Sequence, residues 1–331
     1  MGDHWVHDLD PFLWQISGEI GIRWYGLAYL AGIVLGYLLM KRWQAQRLVP
    51  LTKEGMGDLV VYLGLGMILG GRLGYCLLYQ PSLFIEFDGS FPFWGVLKIN
   101  QGGMASHGGI AGFFIGGWLM WRKHRFHYVA LGDSVATVIP IGISCGRIAN
   151  FINGELWGRP TDVSWAVHFP ASMRELDENE LLIRWAEFLQ DHPDLPRVYF
   201  RDYAATLMPG SAEYDAFYRA MTELRHPSQL YAAVLEGVIV LAIAWFLFGR
   251  HRRPGLNLGL VLGMYGIGRF INEFWREPDP GYGLFFGWMS KGQLYSLPVV
   301  VAGAWLIIRA LRRPAQPEAY EPPPEPAATS P

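Results

Sequence analysis

The twenty residues Leu256–Trp275, LNLGLVLGMYGIGRFINEFW, set the architecture. Twenty residues rising about 1.5 Å each cross roughly 30 Å, the thickness of a bilayer's hydrocarbon layer. The run begins apolar, but Tyr265, Arg269, Glu273 and the following Arg276 recur at steps of four, four and three, which aligns them on one helix face. Ionisable groups are costly against acyl chains, so this stripe must point into a bundle of helices or a hydrated cavity. Gly255, Gly259 and Gly263 mark a second periodicity of four, the spacing that lets membrane helices approach closely.

The rest of the chain agrees with a membrane bundle. Of 331 residues, 51% are hydrophobic and only 17% charged, against about a quarter charged in ordinary soluble domains. The mean hydropathy of +0.17 is mild, so apolar spans must be mixed with a polar region. A net charge of −2 offers no basic surplus for binding nucleic acid. Seven spans are expected at about Ile22–Met40, Met56–Leu78, Gly103–Trp121, Leu131–Ala149, Leu230–Phe248, Leu256–Trp275 and Leu294–Ile308. The segment MGDHWVHDLD before the first is acidic and no small-residue cleavage site follows, so that span is expected to stay as a span and not be removed as a signal peptide.

Lys41, Arg42, Arg47 and Lys53 follow span 1, Arg122, Lys123 and Arg125 span 3, Arg250, Arg252 and Arg253 span 5, and Arg309, Arg312 and Arg313 span 7. By the positive-inside rule these ends are cytoplasmic, the N-terminus is outside and the C-terminus inside. The organisation expected is therefore all-α and polytopic. Spans 1–4 occupy residues 1–149, an outward-facing soluble cap 150–226, spans 5–7 residues 227–313, and a disordered cytoplasmic tail 314–331. The cap carries thirteen acidic and seven basic residues and helical stretches such as ENELLIRWAEFLQ. The tail is rich in Pro, Ala and Glu, with little to bury. Gly66, Gly70 and Gly74 in span 2 and Gly108, Gly112 and Gly116 in span 3 repeat the four-residue ridge and read as packing surfaces. Cys76 and Cys145, the two cysteines, sit in apolar runs and read as buried small side chains, with no disulfide framework or zinc site.

Placed by depth, Arg72, His107, Arg147, Glu236, Arg269, Glu273 and Arg276 all fall in the outward half of their spans. Asp133 lies at the inner start of span 4, where a carboxylate suits a helix N-terminus. Several fixed guanidinium groups with fewer carboxylates leave surplus positive charge, and a guanidinium fork matches phosphate. An anionic ligand at lipid-headgroup depth, a phospholipid, is expected. At the exit of span 4, GRIANFINGELWGRPT (Gly146–Thr161) gathers Arg147, Asn150, Asn153, Glu155 and Arg159, enough donors and acceptors to line the cavity mouth or, alternatively, to form a capped turn opening the cap.

The segment GRIANFINGELWG resembles the signature of the bacterial prolipoprotein diacylglyceryl transferases. Five more blocks agree in order: IRWYGLAYL at Ile22, GGRLGY at Gly70, GGMASHGG at Gly102, HPSQLYAAVLEG at His226 and GRFINEFWREPD at Gly268. The match is poorest over Val163–Arg225 and in the tail. The resemblance implies a seven-span bundle in the bacterial inner membrane with its site toward the periplasm. It also implies transfer of the diacylglyceryl group of phosphatidylglycerol to the lipobox cysteine of prolipoprotein signal peptides. The products would be a thioether and glycerol phosphate, and no cofactor or metal is implied. Tyr25, His107, Arg147, Asn150, Glu155, Gly158, Tyr265, Arg269, Glu273 and Arg276 correspond to positions that the family treats as functional. Arg147 and Arg269 are expected to stabilise charge on the leaving phosphate, and His107 to take the thiol proton. An arginine that stabilises the thiolate directly, with His107 orienting lipid, is the other possibility. Tyr25, Arg72, Asn150, Glu155, Gly158, Tyr265, Glu273 and Arg276 are expected to bind substrate or hold the arginines.

A phospholipid transporter or flippase would also explain intramembrane arginines. Against it, the two halves show no repeat and no pair of broken short spans. An intramembrane hydrolase lacks a GxSxG nucleophile motif, and a scaffold would not need this many buried charges.

Overall fold

The computed structural model describes residues 4–17, 20–89, 91–99, 102–278 and 284–323. Two short strands, β1 (Trp5–Val6) and β2 (Phe12–Ser17), precede β3 (Ile20–Arg23), which runs directly into α1 (Trp24–Ala45). Then come α2 (Lys53–Leu78), α3 (Ser106–His124) and α4 (Tyr128–Ile152). Next follow β4 (Val167–His168), α5 (Glu178–Asp191), α6 (Phe200–Ala204), α7 (Ala212–Met221) and β5 (Leu224–Arg225). The last helices are α8 (Ser228–Leu247), α9 (Leu256–Asn272) and α10 (Lys291–Leu311).

The fold is mostly helical, and among the described residues five helices, α1, α2, α4, α8 and α10, are long and apolar enough to cross a membrane. The helices at the other two expected spans, α3 and α9, are shorter or more polar: α9 has 17 residues and α3 ends in Arg122, Lys123 and His124. Span 1 also starts later than expected. Ile22 and Arg23 belong to β3, which pairs antiparallel with β2 so that Phe12 faces Arg23 and Trp14 faces Ile22, a pairing that β-branched and aromatic residues favour.

The chain divides into two compact units. The first comprises Met1–Gly36, Ala136–Phe248 and Leu256–Arg312. Its helices turn large apolar side chains outward, among them Leu30 and Ile33 of α1 and Val301 and Trp305 of α10. The buried residues of α9 are mainly small or polar, including Asn257, Gly259, Gly263, Gly266, Gly268 and Asn272. This distribution is the reverse of a water-soluble core and is the one lipid selects, because acyl chains solvate Leu and Ile as well as a protein interior does. A Cβ on Gly259 would sit 2.8 Å from the Gly303 carbonyl, so these two glycines set how closely α9 and α10 pack. The same unit holds α5–α7, folded around Leu181, Trp185, Phe188, Phe200, Tyr203, Phe217 and Met221. In α5, Leu181, Trp185 and Phe188 recur at four and three residues and give an otherwise polar helix its buried face. Parallel pairing of β1 with β4, and antiparallel pairing of β4 with β5, ties the N-terminal segment to this region.

The second unit comprises Tyr37–Val135, Gly249–Gly255 and Arg313–Pro331. Here the glycine ridges of α2 and α3 meet as their spacing predicts. A Cβ on Gly70 would lie 2.7 Å from Gly112 Cα, and one on Gly74 would lie 2.7 Å from Gly108 Cα. Two expectations need correction. Asp133 is not at a helix start, because α4 begins at Tyr128; it is fully buried and accepts hydrogen bonds from Gly255 N (2.8 Å) and the Tyr320 hydroxyl (2.7 Å). The first part of the tail is also ordered. Pro317–Tyr320 form a 3₁₀ turn with Tyr320 buried, and Gln316 N donates to Arg252 O. One aromatic ring with a partner for its hydroxyl anchors a stretch whose composition otherwise offers little to bury. Residues 324–331 lie outside the described residues.

Candidate active site

The site of the first unit is organised by an irregular turn. Within α8, Ala233–Val238 form a π turn, which inserts one extra residue into the helical repeat and re-aims the side chains beyond it. Two glycines let neighbouring backbone crowd against it. A Cβ on Gly237 would meet Ser144 and stand 3.1 Å from Pro140 O, and a Cβ on Gly268 would lie 2.7 Å from Leu235 O. The Ser144 hydroxyl donates to Ala233 O at 3.2 Å. The turn thereby lies between α4 and α9 and carries Glu236, fully buried, to Arg147 and Arg269.

Five side chains then alternate in sign. Arg147 donates through Nε (3.3 Å) and Nη2 (2.9 Å) to Glu236 Oε2. Glu236 Oε1 stands 3.6 Å from Arg269 Nη1, an ion pair too long for a hydrogen bond. Arg269 Nη2 is 2.6 Å from Glu273 Oε1, which also takes a bond from Arg276 Nη1 at 3.2 Å. The second oxygen of Glu273 accepts from the Ser290 hydroxyl at 2.6 Å. Ser290 is also the N-cap of α10: its hydroxyl accepts from Gln293 N while the Gln293 side chain accepts from Ser290 N, a reciprocal cap. Tyr265 lies within electrostatic reach of Glu236, Arg147 and Arg269. The side chains of Arg147 and Arg269 keep 20% and 16% of their surface exposed, whereas Glu236 and Glu273 keep 0% and 2%. The accessible edge of the cluster is therefore cationic.

The segment after α4 is stitched down around Asn150. The Asn150 amide nitrogen donates both to the Tyr25 hydroxyl (2.8 Å) and to Glu155 Oε1 (2.7 Å). Gln229 donates to Glu155 O and Ser228 to Leu156 O. Gly158 N donates to His226 O, and Arg159 N to Trp275 O. A Cβ on Gly158 would come 2.5 Å from Trp275 O and 2.6 Å from His226 Cβ, so only glycine fits at this crossing. Burial holds the His226 imidazole below its ordinary pKa. Beyond the crossing, Arg225 pairs with Glu175, Glu223 and Glu277.

Two expected site residues belong to the second unit. His107 is exposed on the first turn of α3. Arg72 is buried and its guanidinium is occupied: it donates to Gly95 O (2.6 Å), Val96 O (2.7 Å), Gly102 O (2.6 Å) and Gly103 O (3.0 Å). Gly103, at φ +79°, lies where a Cβ would strike both Tyr75 and Arg72. Arg72 thus fastens the backbone just ahead of α3. Among the described residues, no three His, Cys, Asp or Glu side chains gather as metal ligands.

A family profile described as prolipoprotein diacylglyceryl transferase matches residues 11–309. The chain belongs to the prolipoprotein diacylglyceryl transferase family. Among its relatives, a phosphatidylglycerol–prolipoprotein diacylglyceryl transferase of Bdellovibrio bacteriovorus is 37% identical over 92% of this chain and 93% of its own length. Proteins of the same name from Neisseria gonorrhoeae (40% identity, 90% and 94% covered) and Ruegeria pomeroyi (37%, 93% and 97%) are similar over comparable lengths. These relatives are transferases by name, and nothing in them favours the transporter reading.

In this family member the structure brings together Arg147, Tyr265, Arg269, Glu273 and Arg276 in one cluster and Tyr25, Asn150 and Glu155 in one hydrogen-bonded set. It places Gly158 at a backbone crossing. Sequence reasoning singled out Glu236 as an acid inside an otherwise apolar run but gave it no role. Ser290 carried no signal, since its link to Glu273 spans 17 residues and is not helical.

Proposed function

We propose that this chain transfers the diacylglyceryl group of phosphatidylglycerol to the lipobox cysteine thiol of prolipoprotein signal peptides, releasing glycerol phosphate. The observation that carries the reading is the cationic edge of Arg147 and Arg269 over sealed carboxylates, in a chain of the transferase family. In the reaction the thiol sulfur attacks the terminal glyceryl carbon as its bond to the phosphate oxygen breaks, and the electron pair leaves with the phosphate. Arg147 and Arg269 hold that phosphate and stabilise the charge it gains. Glu236 and Glu273 fix the two forks, and Tyr265 and Arg276 complete the cluster. Tyr25, Asn150 and Glu155 offer a hydroxyl, an amide and a carboxylate for the glycerol moieties, while Gly158 keeps their loop in place. Arg72 serves by fixing the approach to α3. His107 is the proposed acceptor of the thiol proton, with direct stabilisation of the thiolate by an arginine as the alternative.

The multi-pass helical architecture supports membrane residence. We place all seven spans, counting α3 and α9, in the bacterial inner membrane, with α5–α7 as a periplasmic cap, the N-terminus outside and the C-terminus in the cytoplasm. Purified protein incubated with phosphatidylglycerol and a lipobox peptide is expected to yield diacylglyceryl peptide and glycerol phosphate. Folded protein that yields neither refutes the transferase reading. His107→Gln is expected to lose its deficit at high pH if His107 is the base, and to be equally impaired at every pH if it positions lipid.

A further inference from the structure

Arg225 ends β5 and immediately precedes the segment whose Ser228 and Gln229 hold the loop after α4. A cation at the edge of a polar segment ordinarily faces water, but this one is buried and three carboxylates converge on it. Its Nη1 donates to Glu277 Oε2 at 3.1 Å and to Gly158 O at 3.3 Å, and stands 3.5 Å from Glu175 Oε2. Its Nη2 donates to Glu223 Oε2 at 3.2 Å. Three of these partners come from separate stretches of chain. Gly158 lies in the loop after α4, Glu277 follows α9, and Glu175 ends the 3₁₀ turn Pro170–Glu175. Glu175 extends the connection, because the same Oε2 accepts from Trp157 Nε1 at 3.0 Å, and Trp157 is buried against Val167 and Phe169.

The two halves of the candidate site reach this point by different routes. Glu155, bonded to Asn150, stands three residues before Gly158. Arg276, bonded to Glu273, pairs across the crossing with Gly158 and is followed by Glu277, whose N donates to Trp157 O at 3.3 Å. We infer that Arg225 is a positioning residue for the reaction, fastening β5 and the 3₁₀ turn onto the crossing so that these two halves keep a fixed spacing. This rests on the transferase reading above and deepens it. Charge gives the reason for a cation here. Three carboxylates gathered at one point repel one another unless a positive group lies among them. Among the described residues, Arg225 is the ion-pair partner that Glu175 and Glu277 share, while Arg184, 3.8 Å away, adds a second cation only for Glu223. Removing one partner of a buried pair leaves the other charge uncompensated, whereas neutralising both partners is often tolerated. Loss of Arg225 alone should therefore push Glu277 away from Glu175 and part the two strands of the crossing.

The test uses the full chain in detergent, with phosphatidylglycerol and a lipobox peptide as substrates and amide hydrogen exchange as a readout that needs no turnover. Arg225→Gln is expected to lower kcat about tenfold or more, and to change KM for phosphatidylglycerol less than kcat, because small misplacements of reacting groups weigh most on the chemical step. Amides of Glu155–Arg159 and Trp275–Glu277 should exchange about tenfold faster, while those around Phe200 and Phe217 keep their protection. The discriminating variant combines Arg225→Gln with Glu277→Gln, which removes the stranded charge and should recover about threefold in kcat over the single substitution. Packing alone predicts the opposite, a further loss. A double variant worse than Arg225→Gln therefore overturns the inference, and so do wild-type kcat and exchange in Arg225→Gln. If Arg225→Gln does not fold, Glu277→Ala releases only the strand that follows α9: faster exchange at Trp157 and Gly158 with a lower kcat supports the inference, and no change in either overturns it. A folded wild type without transfer activity sinks the transferase reading, while the exchange comparison still decides whether Arg225 holds the two strands together.

Discussion

Replacing Arg72 with lysine separates a backbone clamp from a lipid contact. Arg72 spends four N–H groups on the carbonyls of Gly95, Val96, Gly102 and Gly103, at 2.6 to 3.0 Å. A hydrogen bond from a charged donor contributes about 1.5–3 kcal/mol, and a buried carbonyl left without a donor costs about 1–3 kcal/mol. Lysine has three donors on one nitrogen and no planar fork, so it can reach one side of this set but not both. Two bonds are lost, and because Gly102 is exposed, water replaces part of one. The net destabilisation expected is about 3 kcal/mol, a fall in Tm of roughly 6–12 °C if the unit melts like a domain of 150–250 residues. Thermal unfolding in detergent measures this, and limited proteolysis should show new cleavage near Gly95–Gly103. KM for phosphatidylglycerol should stay within about twofold in the folded fraction. Unaltered melting and protection, together with a large rise in KM, would refute the clamp and return Arg72 to the lipid.

Three further perturbations have definite outcomes. Gly70→Val places a Cβ 2.7 Å from Gly112 Cα, about 1 Å inside normal contact; overpacking of this kind costs about 1–3 kcal/mol and should lower the Tm in detergent, whereas Gly57→Val, with open space around it, should not. Tyr320→Phe removes the hydroxyl from buried Asp133 and is expected to cost about 1–3 kcal/mol, read as faster proteolysis of the tail. Burial, aided by the charge of Arg219, lowers the His168 pKa to about 4. The unfolded chain then binds a proton below pH 6.5 that the folded chain refuses until about pH 4, so the stability of this region should fall with pH across that window. His168→Asn, monitored by Trp185 fluorescence, should flatten the slope by up to about 1.4 kcal/mol per pH unit.

How far the sequence could be read depended on the range of each interaction. The stripe Tyr265–Arg269–Glu273–Arg276 and the facing glycines of α2 and α3 follow from helical periodicity, which is local, and they are found where the spacing put them. The amphipathic α5 was equally legible from Leu181, Trp185 and Phe188. Arg72 was readable as an ion at headgroup depth, but carbonyls up to 31 residues away occupy it, and no pattern announces a loop folding back on a guanidinium. The π turn was invisible because the sequence of α8 continues smoothly through it. Without that turn Glu236 had a depth but no direction. Tyr320 looked like part of a disordered tail because its anchor, Asp133, lies 187 residues away.

The Ser290 hydroxyl has an implication for the order in which the protein is made. It both begins α10 and holds Glu273. A chain emerging from the ribosome presents α4, α8 and α9 before α10. Until that last helix docks, Glu273 lacks one of its three anchors and the arginine beside it is not fixed. An incompletely inserted chain would thus carry all three arginines of the cluster without the finished geometry, and chemistry on lipid would have to await the final membrane segment.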